Sequence, residues 1–393
     1  MRRCCEESIL RFIFEGRYAD GTMIAHYDAI SPTLDLPEWA RASHFTDVEA
    51  PAAEHAFLRA CRGESTPFTP VWLMRQAGRY LPEYRRVRER LSFLDLCRDS
   101  QTAAEVTVGT VRKLGVDAAI IFADILLPLL PMGLGLEFAK GEGPHIERPI
   151  RGIADIERLP NVSVAETLAF VGETIALTQA ELRGNVPVIG FAGAPFTVAS
   201  YAIEGGSSRN FTETKKLMYR EPRVWHGLMA YMTELTSAYL RMQIDAGADA
   251  VQLFDSWVGC LSPGDYVDYV LPYTQQVIAS VRSSVPVIYF GTMTAGLLDV
   301  IRMTGADVVG VDWRVDLDEA RDRLGENVAI QGNFDPVKLF AEPAEIRKGV
   351  REILARMDGQ PGHIFNLGHG VLPGTPVDNV LTLVDAVHAY GRR

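Results

Sequence analysis

Cysteine is scarce in this chain of 393 residues, which contains only five. Cys4 and Cys5 are adjacent, and Cys61, Cys97 and Cys260 are far apart. The sequence has no CxxC or His-x-Cys pair of the kind that holds zinc. Free thiols in a reducing compartment are the simplest interpretation. The cysteines therefore predict neither a disulfide framework nor a metal site.

Basic charge and long apolar runs are also in short supply. The chain has 39 Lys and Arg against 50 Asp and Glu, a formal net charge of -11, which argues against a nucleic-acid-binding surface. No apolar run reaches the roughly 18–20 residues that a membrane span requires. The N-terminus starts with basic residues, but Glu6, Glu7 and Arg11 interrupt the apolar stretch that a signal peptide needs. We therefore predict a cytoplasmic protein that binds neither nucleic acid nor membrane.

The remaining composition is that of a globular protein with a large core, 47% hydrophobic and 23% charged. The length allows one large domain or two ordinary ones. Residues 1–50 show no sustained periodicity and are predicted to form an N-terminal extension, within which Met23 is a possible alternative start. We expect residues 51–393 to form a single domain.

A repeating pattern fills this second part of the chain. Short apolar runs rich in β-forming residues end in a polar residue or glycine, and most lead into a helical stretch. One such stretch begins at Ser100, which has the character of a helix N-cap. Eight runs are found, at residues 71–76, 118–124, 186–193, 250–256, 285–291, 308–313, 328–333 and 363–370.

Runs that are apolar on both faces and separated by helices indicate a parallel sheet covered by helices. Eight such units predict an α/β fold of the (β/α)8 TIM barrel type. The alternative is an open doubly wound sheet, which would place a glycine-rich phosphate turn after its first strand. The residues after the first run read MRQAGRY and do not form such a turn.

In a barrel the chemistry lies at the carboxyl ends of the strands, where this sequence places Arg75 and Arg79. Arginine keeps its proton, so a buried arginine needs an anion. That anion is either an internal carboxylate or an acidic ligand. The following helix carries more arginines, of which Arg88 could turn inward.

Three further polar residues stand in unusual settings. Asp124 lies in the apolar stretch IFADILLPL, where a carboxylate is costly without donors or a cation. It forms either a salt bridge with a mouth arginine or a contact with a ligand that carries N–H groups. Tyr201 lies between glycine-rich turns and is either packed or ligand-facing. His369 lies between glycines at a strand end and is either structural or functional.

Seven segments together resemble the uroporphyrinogen decarboxylase family, from about residue 54 to 390. They are PVWLMRQAGRYLPEYR, AAIIFADIL, GFAGAPFTVASYAIEGGSS, VQLFDSWVG, GVDWR, QGNFDP and NLGHGVLPGTP. Gly374 departs from the family, whose members often carry a polar or acidic residue there. The resemblance implies a (β/α)8 barrel, usually a homodimer, that works without metal or organic cofactor. It also implies removal of carbon dioxide from the four acetate side chains of uroporphyrinogen III, giving coproporphyrinogen III in tetrapyrrole (haem and chlorophyll) biosynthesis.

The resemblance also implies a set of site residues. Phe254 would line the cleft, and Arg88 is a secondary candidate. Asp124 would stabilise positive charge on a protonated pyrrole ring, with Arg75, Tyr201 and His369 as further catalytic candidates. The substrate-binding residues carried over are Arg75, Gln76, Ala77, Gly78, Arg79, Asp124, Tyr201, Ser256 and His369.

Three other functions use related scaffolds. A corrinoid or thiol methyltransferase of the same fold would need zinc held by His and Cys, and Cys260 is the only cysteine near a strand end. A non-catalytic porphyrin-binding protein would keep Arg75 and Arg79 without needing the buried acid. A barrel aldolase would need a lysine at a strand end, and none of the eight ends has one.

Overall fold

A parallel seven-stranded sheet organises the chain in the computed structural model, which describes residues 55–139 and 143–393. The strands lie side by side in the order β1-β4-β5-β6-β7-β8-β9, so each strand pairs with the next strand of this sheet along the chain, as repeated βα units predict. The strands of the sheet are β1 (Ala119–Ile120), β4 (Val188–Gly193), β5 (Ala250–Asp255), β6 (Val287–Gly291), β7 (Val308–Gly310), β8 (Ala329–Phe334) and β9 (His363–Leu367).

Helices connect the strands and cover the sheet. The longest described helix, of 24 residues, lies between β4 and β5. In the described ranges the helices are α1 (Ala56–Cys61), α2 (Pro82–Arg90), α3 (Phe93–Arg98), α4 (Ser100–Leu114), α5 (Ile153–Ile156), α6 (Val164–Thr167), α7 (Ala169–Leu182), α8 (Pro195–Glu204), α9 (Thr212–Arg220), α10 (Pro222–Asp245), α11 (Pro263–Tyr269), α12 (Leu271–Val281), α13 (Leu298–Ile301), α14 (Leu317–Leu324), α15 (Pro343–Met357) and α16 (Val377–Tyr390).

The N-cap of α4 differs by one residue from the prediction. The carboxylate of Asp99 accepts a hydrogen bond from the Thr102 amide at 3.1 Å and therefore caps the helix. Ser100 is the first helical residue, and its hydroxyl instead donates to the Phe170 carbonyl on α7 at 3.0 Å. The start of the helix was predicted correctly to within one residue.

The sheet is strongly curled. The side-chain amide of Gln331 on β8 donates to the side-chain oxygen of Gln252 on β5 at 3.0 Å. In a flat sheet these strands, three positions apart, would be separated by about 14 Å. The indole of Trp72 also donates to Gln331, at 2.9 Å, and all three side chains are buried. Side chains of distant strands therefore meet inside the curl.

The first predicted strand is absent from the sheet as a regular strand, because Val71 forms only an isolated parallel bridge with Phe365 of β9. The Phe365 amide donates to the Pro70 carbonyl at 2.8 Å, and the Trp72 amide donates to the Phe365 carbonyl at 3.3 Å. On the other side, the Asp117 amide donates to the Val71 carbonyl at 2.8 Å. Residues 70–72 thus lie between β9 and the segment that leads into β1.

A small antiparallel hairpin was missed by the sequence analysis. Strand β2 (Leu136–Ala139) pairs with β3 (Gly143–Ile146), outside the main sheet. The extension predicted at residues 1–50 lies outside the described residues. None of the helices described is both long and apolar enough to cross a membrane.

Candidate active site

The buried side chain of Gln76 holds the loop after Trp72 in place. Gln76 is 1% exposed; its side-chain oxygen accepts from the Leu73 amide at 3.2 Å, and its amide donates to the Ala118 carbonyl at 3.2 Å. The Tyr80 hydroxyl donates to the Gln76 carbonyl at 2.8 Å. Arg75 itself adopts a left-handed conformation with φ 59°. This bonding fixes the turn while its two arginine side chains stay exposed.

No described residue supplies an anion to either arginine. Within residues 55–139 and 143–393, the guanidinium groups of Arg75 and Arg79 make no ion pair or hydrogen bond. Arg79 contributes only its backbone carbonyl, which accepts from Arg85 at 3.0 Å. The first alternative, a structural ion pair, is therefore not what the described structure contains. Two unpaired guanidinium forks at the mouth fit an anionic ligand.

The side chain of Arg75 lies against the loop after β9. A Cβ atom on Gly370 would come within 2.6 Å of the Arg75 Cγ, so only glycine leaves room for this side chain. The same loop meets the end of β7, because a Cβ on Gly368 would lie 2.7 Å from the Trp313 amide nitrogen. The two glycines that flank His369 are therefore packed against Arg75 and Trp313.

Asp124 follows β1 and lies partly exposed at this mouth. Its carboxylate accepts one hydrogen bond, from the Leu126 amide at 2.8 Å, and it forms no ion pair with the described residues. Desolvation raises the pKa of Asp124 to about 6, although the Leu126 N–H and the positive charge of Arg75 act in the opposite direction. The carboxylate is thus largely ionised at neutral pH and has unused acceptor capacity.

Tyr201 and His369 respond to the same charges. Desolvation raises the pKa of Tyr201 to about 12, with Asp124 adding to the increase and Arg75 opposing it. Desolvation and then Arg75 lower the pKa of His369, so its imidazole is neutral at pH 7. The charge of Arg75 thus acts on Asp124, Tyr201 and His369, which places these three side chains in its vicinity.

An aromatic surface adjoins these charged groups. The ring of Phe254 on β5 packs edge-on against Phe191 of β4 at 5.5 Å and Phe290 of β6 at 5.9 Å. Ser256 follows two residues later, and its carbonyl accepts from the Thr292 hydroxyl. Phe191 and Phe290 are buried, so Phe254 is the partly exposed ring of this group.

The comparisons with known proteins give a consistent result. A family model described as uroporphyrinogen decarboxylase (URO-D) matches residues 52–390. The uroporphyrinogen decarboxylase of Carboxydothermus hydrogenoformans is 53% identical over 333 residues, covering 84% of this chain and 95% of that relative. That of Chloroflexus aurantiacus is 54% identical over 339 residues, covering 85% of this chain and 95% of the relative. The chain belongs to the uroporphyrinogen decarboxylase family. As a member of this family it is a carboxy-lyase.

Solved structures support the fold of this decarboxylase-family chain. A methyltransferase from Methanosarcina mazei superposes with a TM-score of 0.73 at 18% identity, covering 85% of this chain and 98% of that one. A B12-independent methionine synthase from Shewanella sp. W3-18-1 gives a TM-score of 0.52 at 12% identity, covering 77% of this chain and 89% of that one. At these identities the likeness concerns the fold alone. Among the described residues, no three or more His, Cys, Asp or Glu side chains form a group that could hold a metal ion.

Several residues carried over from the decarboxylase family have structural contacts of their own. The Gln76 side chain is committed to the loop, and a Cβ on Gly78 would lie 2.9 Å from the Arg75 carbonyl oxygen, with Ala77 half-buried between them. Arg88 donates to the Leu91 carbonyl and its guanidinium lies 5.6 Å from the Phe93 ring centroid. The geometry thus gives the Gln76 and Arg88 side chains local partners, whereas Arg75 and Arg79 remain unpaired within the described ranges.

Trp257 was missed by the sequence analysis. Its ring stacks on Tyr201 with centroids 3.7 Å apart and planes at 29°. The Phe211 ring also packs edge-on against the Trp257 ring, with centroids 4.9 Å apart. Its position directly after Ser256, at the end of β5, was the available signal. No sequence pattern indicates that this indole meets a tyrosine on α8.

Proposed function

We propose that this site binds uroporphyrinogen III and removes carbon dioxide from its four acetate side chains, giving coproporphyrinogen III in tetrapyrrole biosynthesis. The relatives are named uroporphyrinogen decarboxylase, and the geometry of the site fits a substrate with many carboxylates. The observation that carries the proposal is a pair of arginines without partners among the described residues, together with a carboxylate that has spare acceptor capacity.

The carboxylates of the substrate account for the arginines. Uroporphyrinogen carries eight carboxylates around a flexible macrocycle, and a guanidinium fork binds a carboxylate through two parallel hydrogen bonds. Arg75 and Arg79 thus gain the anions that the described residues do not supply. The partly exposed ring of Phe254, supported from behind by the buried Phe290, provides an apolar surface for the face of a pyrrole.

Asp124 accounts for the centre of the macrocycle. The four pyrrole N–H groups point inward and can donate to one carboxylate. Several donors to a single ionised oxygen pair repay the cost of removing it from water. We assign Asp124 to binding these N–H groups and to stabilising the positive charge that develops on the ring.

The reaction needs an electron sink but no separate group to provide it. Protonation of a pyrrole carbon makes the ring cationic, and the electron pair of the breaking C–CO₂ bond flows into that ring. Protonation of the exocyclic carbon then gives a methyl group in place of the acetate, and loss of the proton first added to the ring carbon restores the neutral pyrrole. Arg75, Tyr201 and His369 are the candidates for positioning the acetate and for proton transfer. The neutral imidazole of His369 suits hydrogen bonding with a carboxylic group more than donation of a proton.

Further parts of the proposal concern the whole protein. We infer that residues 51–393 form one catalytic domain whose sheet is closed into a (β/α)8 barrel by residues 71–74. We also infer a cytoplasmic homodimer. Exposed apolar side chains on the loops after β6 and β8, Met293 and Val337 among them, offer surface for a second copy.

A product assay tests the proposed reaction. Purified protein is incubated anaerobically with uroporphyrinogen III, with a metal chelator and no added cofactor, and the oxidised products are separated by carboxylate number. We expect stepwise conversion from eight carboxylates to four. Unchanged substrate that co-purifies with the protein would favour a porphyrin-binding function instead. If the protein neither converts nor binds uroporphyrinogen III, the proposal is refuted.

A further inference from the structure

A second carboxylate, Asp255, lies behind the proposed site and is not exposed to it. It is the last residue of β5 and is 0% exposed. Its two oxygens accept from two hydroxyl groups, Thr197 at 2.7 Å and Tyr289 at 2.7 Å. The Tyr266 hydroxyl in turn donates to the Tyr289 oxygen at 3.2 Å. Every one of these side chains is buried, so none can contact the substrate directly.

The Thr197 branch leads to the site. Because the Thr197 hydroxyl donates to Asp255, its oxygen lone pairs are left to accept, and the Trp257 amide donates to it at 3.2 Å. The Trp257 ring in turn stacks on the Tyr201 ring, with centroids 3.7 Å apart. Thr197 and Tyr201 lie four residues apart on the same helix, α8. One hydroxyl therefore joins the end of β5 to the helix that presents Tyr201.

We propose that Asp255 and Thr197 are positioning residues for Tyr201, acting through the Trp257 backbone and ring. The proposal deepens the proposed function, since it assumes that Tyr201 faces the substrate in that site. Asp255 fixes the direction of the Thr197 hydroxyl, and this hydroxyl fixes the turn after β5. The indole then holds the Tyr201 ring in one orientation toward Arg75 and Asp124.

The other branch of the network provides a matched control. The Tyr289 hydroxyl also donates to Asp255 at 2.7 Å, but it leads to Tyr266 and away from Trp257. Thr197→Val and Tyr289→Phe each remove one buried hydrogen bond to the same carboxylate without a large change of volume. Both should lower stability to a comparable degree. Only Thr197→Val also removes the acceptor of the Trp257 amide.

The experiment compares these variants by steady-state kinetics with uroporphyrinogen III and by hydrogen exchange of the free proteins. For Thr197→Val we expect kcat to fall about tenfold with KM changed less than about threefold, because orientation for the reaction is lost and carboxylate binding is kept. The Trp257 amide should exchange at least about tenfold faster. Tyr289→Phe should keep kcat within about twofold, and Thr197→Ser, which retains the hydroxyl, should restore it.

The outcomes separate this proposal from the proposed function. Equal losses of kcat in Thr197→Val and Tyr289→Phe would reduce the network to a stabilising role and overturn the inference. So would faster exchange of the Trp257 amide with unchanged kcat. If the wild-type protein does not turn over uroporphyrinogen III, the proposed function fails. Under that outcome an unchanged exchange rate of the Trp257 amide in Thr197→Val would overturn the positioning inference separately.

Discussion

Asp124 lies where ionisation of a carboxylate is costly, and this cost is what makes it useful. Desolvation raises the pKa of Asp124 to about 6, even though one N–H group and the charge of Arg75 lower it. Because the folded-state pKa lies above the unfolded value, stability falls as the pH rises from the unfolded pKa to the folded one, and the full penalty is present above about pH 6. At neutral pH the ionised Asp124 therefore lowers the free energy of unfolding, and the N–H donors of a bound substrate would reduce this cost. An uncharged replacement should gain stability and lose function.

Asp124→Asn tests this trade-off. We expect turnover to fall about 100-fold or more, because the amide cannot stabilise a cationic ring. At about pH 7 the variant should be more stable than the wild type by about 1–3 kcal/mol, since the charge penalty is gone. Near pH 4, close to the unfolded pKa, the gain should vanish. Urea unfolding at both pH values and the product assay provide the measurements.

The exposed Asp322 on α14 supplies the control for charge removal. Asp322→Asn changes the net charge equally but should leave both turnover and the pH dependence of stability near wild type. Normal turnover in Asp124→Asn would refute its assigned role in catalysis.

Gly370 offers a way to move Arg75 without altering its chemistry. A Cβ at this position would lie 2.6 Å from Cγ and 3.0 Å from Cβ of Arg75, so Gly370→Ala forces the arginine side chain to shift. We expect KM to rise about tenfold through loss of the guanidinium–carboxylate geometry. Gly227→Ala on α10, where a Cβ has no neighbour within 4 Å, should leave KM unchanged. An unchanged KM in Gly370→Ala would mean that Arg75 does not bind the substrate in this position.

At the scale of elements, the strands could be predicted because both faces of a covered parallel sheet are apolar. Strands β4, β6, β8 and β9 are buried at every position. The hairpin of β2 and β3 escaped prediction because each strand has only four residues, and Gly-Pro-His-Ile in β3 has no strand pattern. The run at 71–76 had the right composition, but its backbone turns at Arg75, with φ 59°, after only a bridge has formed.

The site could be predicted in part for a related reason. Arg75, Asp124 and His369 stand out because their types contrast with their apolar or glycine-rich surroundings. The burial of Gln76 and the stacking of Trp257 on Tyr201 depend on pairs of side chains that only tertiary packing brings together. Sequence pattern reports which residues are out of place, whereas it carries little information on which buried polar groups pair.

A titratable pair, His388 and Asp117, connects the last helix to the segment before β1. His388 of α16 donates to the Asp117 carboxylate at 2.9 Å, and the same oxygen accepts from the Val71 amide at 2.7 Å. The hydrogen bond to Asp117 raises the pKa of His388, with Asp385 adding to the increase, while desolvation and Arg392 act against it. The stabilising contribution is therefore complete below the unfolded pKa and is lost as the pH rises through the folded pKa.

His388→Gln should reveal this dependence. We expect a loss of about 0.5–1 kcal/mol near pH 5.5 that becomes smaller near pH 8.5, because the imidazole is uncharged there in both states. Urea unfolding at the two pH values measures it. The raised pKa values of Asp124 and Asp255 affect both proteins equally and cancel in the difference. His226→Gln, at an exposed histidine, should show no such trend. A loss that grows with pH would contradict the assigned pairing.

At the scale of the whole molecule, the curl of the sheet depends on polar groups inside it. Trp72, Gln331 and Gln252 form a buried chain that joins the first apolar run to β8 and β5, at 2.9 and 3.0 Å. Residues 70–72 also bond on one side to β9 and on the other to Asp117. If this run closes a barrel, its bonds should break only when the whole domain unfolds. If it merely lies over an open sheet, they should open locally.

Trp72→Phe distinguishes the two arrangements. The change removes the indole donor of a buried amide oxygen, which should cost about 1–3 kcal/mol of global stability while unfolding stays a single transition. In the wild type, the Phe365 and Asp117 amides should exchange as slowly as those of the central strand β5. Trp225→Phe, which removes an indole bond to the Tyr269 carbonyl on the helical layer, is the control for losing a buried indole. Faster exchange of the Phe365 and Asp117 amides in Trp72→Phe, with an unchanged urea midpoint, would show an open sheet rather than a closed barrel.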